Sequence, residues 1–485
     1  MQTNEAWVGI TSAAIEAAKK AGATYADVRV VLTRTESWSA SGGKVSSPQR
    51  SIDLGVGVRV IADGAWGFAS SYDASEESAA ALASRAVAIA KASAMLQDRP
   101  LKLAETTPSI GVYSTPVEDD PFTLDDDKKR SFLTQIESPM IGVEGVAATS
   151  ASLDFRRVAQ LFVSSEGARI TQTITQSGGG ITATVGGGPR GGGDTRSYPT
   201  SQGGQYGSGG FEFVKAIDFA GNAKRIAEEA IALSKAAECP KGEMDLILDA
   251  PEVSLLIHES IGHPLELDRV FGSEANFSGT SFATPDQLDK LQYAAKSVSV
   301  VSDPTAEGGL ATYGYDDEGV RAQRADLIRD GVLVNYLSSR ETAARIEKTS
   351  TGAMRADGWG NVPIVRMTNI NLLPGKLTLD ELIADTKKGI FMSGTTSWSI
   401  DDRREGFRFG CEVGWLIEDG KLGAMVKAPG YSGNTVKLWN ACDAICNAKH
   451  WRIWGTANCG KGQPGQNART GQGASPCRFR GVSIG

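Results

Sequence analysis

Histidine is scarce in this sequence, with three residues among 485. Basic side chains are outnumbered too: 50 Lys and Arg against 57 Asp and Glu give a net charge of −7, so the basic stripe of a nucleic-acid binder is missing. The basic cluster Asp401-Asp402-Arg403-Arg404-Glu405 mixes both signs, which predicts a solvated surface. No apolar run reaches the ~18 residues that span a bilayer, and the N-terminus lacks the basic and apolar segments of a secretory signal. We therefore expect a cytoplasmic protein that binds neither nucleic acid nor membrane.

The cysteines show neither a zinc-ribbon spacing nor a redox spacing. Cys442 and Cys446 lie four positions apart without a second Cys or His pair at a suitable distance, and no CxxC occurs. Disulfides are rare in a cytosolic chain, so the thiols are expected to be free for packing, metal binding or catalysis. The six residues concerned are Cys239, Cys411, Cys442, Cys446, Cys459 and Cys477.

Glycine is abundant, with 57 residues among 485 against roughly 7% in typical proteins. Because glycine weakens the interiors of helices and strands, this excess favours a β-rich protein with many turns and bulges. Residues 5–21 carry helix formers, and Ile52 to Val60 alternate as a half-buried strand does. The capping sequence Asp73-Ala74-Ser75-Glu76 then precedes an alanine-rich helix. These patterns predict an N-terminal α/β-layered domain in a protein of the α+β class.

Two features organise the rest of the chain. Residues 178–210 contain fourteen glycines, which predicts a long flexible loop or wide bulged hairpins. Cys239-Pro240-Lys241-Gly242 punctuates the sequence, so we place a boundary between domains 1–240 and 241–485. In the second domain, the Asp-Gly pairs at 330–331 and 419–420 lie between apolar runs and predict hairpins. We therefore expect a mostly antiparallel, barrel-like β domain.

Two of the three histidines lie in one run, His258-Glu259-Ser260-Ile261-Gly262-His263, on a helix predicted to begin near Asp249. In the HExxH zinc motif the two histidines are four residues apart and share a helix face. A spacing of five turns the second ring by about 140°. Both rings can then bind one metal only if the helix inserts a residue as a π-bulge or unwinds near Gly262. The alternative is a pair of buried structural histidines at a helix end.

A catalytic zinc requires three protein ligands and one open position. The residue types leave the third ligand open, with His450, Glu266, Asp268 and the cysteines as candidates. Glu259, adjacent to the first histidine, is placed to act as a general base. His450 lies beside Lys449, where a surface histidine is the simpler interpretation.

The run HESIGHPLELD and the later GTANCGKGQPGQ (residues 455–466) together resemble the TldD/PmbA family of metallopeptidases, and the resemblance covers the whole chain. It implies that His258, His263 and Cys459 bind zinc and that Glu259 is the general base. The implied reaction is hydrolysis of peptide bonds in peptides or unfolded protein segments. Lys461 is expected to support the charge of the Cys459 thiolate. Sister subunits of this family lack HExxxH, so this chain is similar to the active, TldD-like member.

The resemblance also implies a dimer that encloses the site and receives substrate as an extended strand. A homodimer and a heterodimer with an HExxxH-lacking paralogue both stay open. A second interpretation is a non-catalytic modulator or binding protein of a toxin–antitoxin or DNA gyrase system, since family members have carried gyrase-modulator names. Glu259 is an argument against it, because a structural zinc uses four protein ligands and needs no base.

Overall fold

The computed structural model describes residues 5–186 and 192–485. Within them, the N-terminal part contains one nine-stranded sheet, with a main path of β4-β3-β1-β6-β7-β5, and helices that cover it. The strands are β1 Tyr25–Ser41, β2 Lys44–Val45, β3 Gln49–Ala62, β4 Ala65–Ser71, β5 Ile110–Ser114, β6 Val146–Ser164, β7 Arg169–Val185, β8 Asp194–Tyr198 and β9 Gln205–Ser208. The helices are α1 Glu5–Ala21, α2 Glu76–Ala94, α3 Asp126–Glu137, α4 Phe211–Lys215 and α5 Phe219–Ser234.

Two apolar cores attach these helices to the sheet. One lies between α1, α2 and the strands β1, β3 and β4, and the other between α3, α5 and the strands β6 and β7. The prediction of a helix over residues 5–21 is confirmed, and α2 begins where the capping sequence predicts, since the Ser78 backbone N–H donates to Ser75 Oγ at 3.2 Å. The alternation in β3 is buried only in its second half, because Ile52 is 70% exposed while Val56, Val58 and Val60 are buried.

The glycine-rich segment is largely β-structure in its described part. Residues 178–185 form the second half of β7 and pair with β6, β8 and β9, so they are not a flexible loop. Close packing requires the glycines here: a Cβ on Gly178 would lie 2.1 Å from the Tyr206 ring, and one on Gly180 would lie 2.8 Å from Gly204 Cα. The flexible-loop alternative is wrong for these residues, whereas the hairpin alternative is supported, because β7 and β8 pair antiparallel. Residues 187–191, also within the predicted loop, lie outside the described residues.

The C-terminal part is built from shorter elements. Its strands are β10 Ala237–Glu238, β11 Gly242–Leu248, β12 Val300–Ser302, β13 Ala325–Arg329, β14 Val332–Leu333, β15 Met354–Arg355, β16 Ile364–Val365, β17 Asn369–Leu372, β18 Lys388–Ile400, β19 Gly406–Glu418, β20 Lys421–Lys427, β21 Gly430–Asn434, β22 Cys442–Ile445, β23 Arg452–Lys461, β24 Gln466–Ala474 and β25 Cys477–Ile484. Its helices are α6 Ala250–Ile257, α7 Leu267–Val270, α8 Ala275–Ser278, α9 Arg340–Ala344, α10 Leu379–Ala384 and α11 Thr435–Asn440.

Five of these strands close into a barrel, because β21 pairs with both β19 and β25 and so completes the ring β19-β18-β11-β25-β21. A second sheet has the order β14-β13-β12-β17-β24-β23. The α+β class with a barrel-like, mostly antiparallel C-terminal part is confirmed. Both Asp-Gly pairs lie in the predicted hairpin turns with positive φ at each residue, between β13 and β14 and between β19 and β20. The domain boundary at residue 240 stays a prediction.

Helix α6 lies between the barrel and the second sheet. It follows β11 directly and contacts β18 on one side and β23 and β24 on the other. Asp249 caps it as predicted, accepting from the Glu252 backbone N–H at 2.9 Å. The Glu252 side chain does not close a capping box; it turns inward and accepts hydrogen bonds from the hydroxyls of Thr395 and Tyr431. Among the described residues, no helix combines the length and the apolarity needed to cross a membrane.

Glu252→Gln is expected to change the pH dependence of stability. Burial raises the pKa of Glu252 to about 7, and the nearby Asp249 carboxylate adds to it. Since an unfolded glutamate titrates near ~4.3, the folded protein holds one more proton between these values, and its stability falls as pH rises toward 7. Removing the carboxyl should recover about 4 kcal/mol of that loss in the free energy of unfolding. The melting temperature of the variant relative to wild type should therefore rise between pH 5 and pH 8.

Glu243→Gln is the control for this experiment, because Glu243 is exposed on the preceding strand β11. Its melting temperature relative to wild type should show no comparable trend. A constant difference for Glu252→Gln across the pH range would contradict the assignment of a proton to the buried carboxyl.

Candidate metal centre

The two histidines of the motif lie on a π-helical turn. Residues His258–Gly262 continue α6 in π geometry, and the His263 backbone N–H donates to the His258 carbonyl five residues back. The inserted residue brings the two rings together, with centroids 4.9 Å apart and planes at 87°. A Cβ on Gly262 would lie 2.0 Å from Met367 Sδ, so a larger residue in this turn would require the Met367 side chain to move. Of the two distortions predicted from the spacing, the structure has the π insertion.

Cys459 approaches the histidines from the second sheet. It lies on β23, near a shift in register with β24 between Thr456 and Cys459, and its Sγ is 3.6 Å from His263 Nε2. One ligand atom from each of His258, His263 and Cys459 lies within 4.8 Å of the other two, and all three side chains are buried. The fold thus joins residues 196 positions apart in the sequence.

The donor set fits a metal ion of zinc's kind. Two imidazole nitrogens and one thiolate are preferred zinc ligands, and three of them leave a position open. Burial opposes a charged thiol, but the two adjacent histidines more than offset it and hold the pKa of Cys459 well below its usual value. Burial holds the pKa of His263 well below its usual value, so its ring is neutral. A thiolate at Cys459 and a neutral imidazole at His263 are the protonation states that metal binding requires. Burial lowers the pKa of His258, but the Cys459 thiolate outweighs this and raises it, so a metal ion would displace a proton from this ring.

Glu259 lies in the same turn and meets a cation that the sequence interpretation missed. Arg404 Nη1 donates to Glu259 Oε2 at 2.9 Å, and both side chains are buried. Arg404 is 9% exposed, so the prediction of a solvated surface is wrong for this residue, while Asp401, Asp402 and Arg403 are exposed as predicted.

A tight turn accounts for the difference between Arg404 and its neighbours. The Arg404 backbone N–H donates to the Asp401 carbonyl at 2.9 Å, and the residue has a φ of +65°. The Asp401 carboxylate accepts the backbone N–H groups of Arg403, Glu405 and Gly406. This turn reverses the chain between β18 and β19 and directs Arg404 inward. The mixed charges of residues 401–405 do not indicate which of the two arginines points into the protein.

An open cleft of about 440 Å³ borders the cluster. Its walls come from the π turn, β23, the β18–β19 connection and one residue of the N-terminal part. Trp398, which is 46% exposed, forms part of its rim. The lining residues are Gln202, Leu255, His258, Glu259, His263, Trp398, Ser399, Ile400, Arg404, Thr456, Asn458, Cys459 and Gly460.

Comparison with known proteins identifies the family. The family described as PmbA/TldA metallopeptidase C-terminal domain matches residues 241–485, and PmbA/TldA metallopeptidase domain 1 matches residues 26–90. A metalloprotease of Methanocaldococcus jannaschii is 31% identical over 455 residues, covering 94% of this chain and 95% of that protein. The chain belongs to the TldD/PmbA metallopeptidase family.

Two further comparisons are a relative named for the same family and a solved structure with the same fold. The metalloprotease TldD homolog of Haemophilus influenzae is 27% identical over 472 residues, covering 95% of this chain and 92% of that one. A Thermotoga maritima structure described as a candidate modulator of a DNA gyrase superposes over 100% of both chains with a TM-score of 0.77. Its identity of 16% makes it a likeness of fold alone.

Behind His263 this TldD/PmbA chain has a buried charge network. Glu266 Oε2 lies 2.8 Å from His263 Nδ1, which leaves Nε2 to face Cys459. Lys461 Nζ lies 2.6 Å from Asp268 and 3.4 Å from Glu266. The expectation that Lys461 supports the thiolate is therefore wrong: it neutralises these two acids instead. Glu266 and Asp268, both considered as ligands, belong to the network that supports His263.

The remaining candidates lie elsewhere. His450 accepts the Leu379 backbone N–H on Nε2 at 3.2 Å and is half-buried. Cys442 and Cys446 are fully buried at β22, away from the cleft. The structure thus brings His258, Glu259, His263 and Cys459 together and leaves His450 apart.

Glu266→Gln is expected to weaken zinc binding by about 10- to 100-fold while leaving the fold intact, because an uncharged amide oxygen is a weaker acceptor for the His263 Nδ1–H than the carboxylate and supports the basicity of the ring less. Competition with a chromogenic chelator measures this affinity. Asp268→Asn is the matched control: it removes an acid from the same network without touching a histidine, and its affinity should stay near that of wild type. Equal affinities for Glu266→Gln and Asp268→Asn would contradict the orienting role.

Proposed function

We propose that this protein is a zinc-dependent peptidase of the HExxxH type that hydrolyses peptide bonds in peptides or unfolded protein segments. His258, His263 and Cys459 would hold the metal, and Glu259 would act as the general base. The observation that carries the proposal is the presence of a His/His/Cys cluster and a buried glutamate in the wall of one open cleft. Zinc is further supported by a Saccharolobus solfataricus relative, 26% identical over 209 residues, that is named a zinc metalloprotease.

The chain's own residues account for the proton transfers. A bound zinc ion supplies a Lewis acid that acidifies water and polarises a carbonyl. Arg404 holds one oxygen of the Glu259 carboxylate at 2.9 Å, which fixes the carboxylate and leaves Oε1 to accept the proton of the attacking water. When the carbon–nitrogen bond breaks, Glu259 returns this proton to the leaving amine.

The proposed substrate is an extended peptide. In the described part of the chain, β23 is the terminal strand of its sheet, and it carries Cys459 close to its end. The Gln205 side chain occupies part of the free edge through Ile453 and Gly455, which leaves the edge near Thr456 to Gly460 for a peptide backbone. Main-chain pairing of this kind would tolerate many sequences, as an unfolded substrate requires. We also propose a cytoplasmic dimer, either homomeric or with an HExxxH-lacking paralogue.

Metal-depleted protein, reloaded with increasing zinc and assayed on unstructured fluorogenic peptides, tests the proposal. Activity should rise in step with zinc and level off at one ion per chain, as measured by elemental analysis. Protein that holds one zinc per chain yet cleaves no unstructured peptide would refute it. The second interpretation, a modulator that binds a gyrase or toxin–antitoxin component, then gains support if metal-depleted protein binds that partner.

A further inference from the structure

Arg404 has hydrogen-bonding capacity that the fold leaves unused. Its Nη1 donates to Glu259, but within the described residues neither Nε nor Nη2 has a protein partner, and Nε is fully buried. A buried donor without an acceptor is costly, and a charged one is more so. Because Arg404 lines the cleft and its Nη2, unlike Nε, is not fully buried, the acceptor that Nη2 lacks is expected to arrive with the ligand.

The backbone around Arg404 holds it firmly. Its N–H is bound to the Asp401 carbonyl, and its own carbonyl accepts from Thr435 Oγ1 at 2.7 Å. The turn is fixed further by the Asp401 carboxylate, which accepts three backbone N–H groups. A donor held this way loses little freedom when its acceptor arrives, which is the condition for electrostatic stabilisation of a transition state.

Charge in the cleft also points to Arg404. Among the described residues that line the cleft, it is the only lysine or arginine, and its guanidinium donates to the Glu259 carboxylate. Asn458 and Gln202 also line the cleft, but neutral amides donate weaker bonds to a negatively charged oxygen than a guanidinium does. The guanidinium is planar and carries several N–H groups in a fixed fork, so one can hold the base while another meets the substrate.

We propose that Arg404 is a catalytic residue that donates a hydrogen bond to the carbonyl oxygen of the scissile peptide bond as that oxygen becomes negatively charged. The inference rests on the proposed peptidase function. In the addition step, water oxygen bonds to the carbonyl carbon, the π pair moves onto the carbonyl oxygen, and the proton of the water passes to Glu259. In the second step the electron pair on the oxygen re-forms the carbonyl double bond and the carbon–nitrogen bond breaks. The leaving nitrogen takes the proton from Glu259. The charge on oxygen exists only between these steps, so the bond from Arg404 is strongest there.

Arg404→Met is the decisive variant. Its kcat on an unstructured peptide should fall by about 100-fold with KM changed by less than about threefold, because the lost bond belongs to the transition state. Zinc content should remain one ion per chain. Arg404→Lys, which keeps the charge but loses the planar fork, should retain more activity than Arg404→Met. Arg403→Met is the matched control, since Arg403 is exposed in the same turn, and it should behave as wild type.

A binding measurement separates the oxyanion role from mere support of Glu259. A phosphinic peptide carries a tetrahedral, negatively charged oxygen where the substrate develops one, and its affinity should fall by about the same 100-fold in Arg404→Met. Affinity of Glu259→Gln protein for the uncleaved peptide should be the same with and without Arg404→Met.

In the Glu259→Gln background, Arg404→Met should lower the residual rate of hydrolysis further. An unchanged residual rate would reduce Arg404 to a positioning residue and overturn the proposal.

The outcomes also distinguish this inference from the proposed function. If zinc-loaded wild type cleaves no peptide, both fall. If wild type is active, Glu259→Gln is inactive and Arg404→Met keeps kcat and phosphinate affinity within about twofold of wild type, the inference alone is overturned. Should Arg404→Met fail to fold, Arg404→Lys decides by the same two readouts.

Discussion

Glu259→Gln is expected to lower kcat by about 1,000-fold while the protein keeps one zinc per chain and its melting temperature. The amide has nearly the shape of the carboxylate and can still face Arg404, but it cannot take a proton from water at neutral pH. Since Glu259 is not among the three clustered ligand residues, metal content should not change. Steady-state hydrolysis of an unstructured peptide and elemental analysis of the same preparation measure both quantities.

The control for this variant is Glu405→Gln, which removes a partly exposed carboxyl from the turn that carries Arg404. Its kcat should match wild type, so a general loss of negative charge near the cleft is excluded as the cause. A Glu259→Gln enzyme with full activity would refute the general-base mechanism. Loss of zinc together with activity would instead show that Glu259 acts through the metal site and not on water.

Local sequence patterns were sufficient for much of the fold. Helix α1, the Ser75 cap, the Asp249 cap and the two Asp-Gly hairpins all depend on residues within a few positions of one another, and the structure confirms them. The five-residue spacing of His258 to His263 is also local, and the need for a distorted helix follows from helix geometry alone. The π turn meets that need.

What the sequence could not show depends on contacts between distant segments. In the sequence, Arg404 is one charged residue of a segment predicted to be solvated. Only the turn between β18 and β19 places it against Glu259, 145 positions away. Lys461 lies two residues from Cys459 in the sequence. Its partners are nevertheless Glu266 and Asp268, which follow His263 in the sequence. The glycines at 178–180 were misleading because composition does not reveal which backbones approach one another.

Cys459→Ala is expected to abolish stoichiometric zinc binding and, with it, peptide hydrolysis. Only His258 and His263 would then remain of the cluster. Because disturbing a residue behind a ligand already costs 10- to 100-fold in affinity, removing the thiolate itself should cost more than about 100-fold. Dialysis at a fixed free zinc concentration followed by elemental analysis measures the loss. Circular dichroism should show an unchanged fold, because the variant removes a single sulfur atom from one buried side chain.

Cys442→Ala is the matched control, because it deletes the same atom from another buried free cysteine away from the cleft. It should bind one zinc per chain. Replacing zinc with Co²⁺ gives a second readout: a thiolate ligand produces a sulfur-to-cobalt charge-transfer band in the near ultraviolet, which should appear in wild type and Cys442→Ala and vanish in Cys459→Ala. If Cys459→Ala keeps one zinc per chain and the charge-transfer band does not depend on Cys459, the third ligand lies elsewhere. His450→Ala would then be tested first, although its position beside Leu379 would require the chain around it to move before it could reach His263.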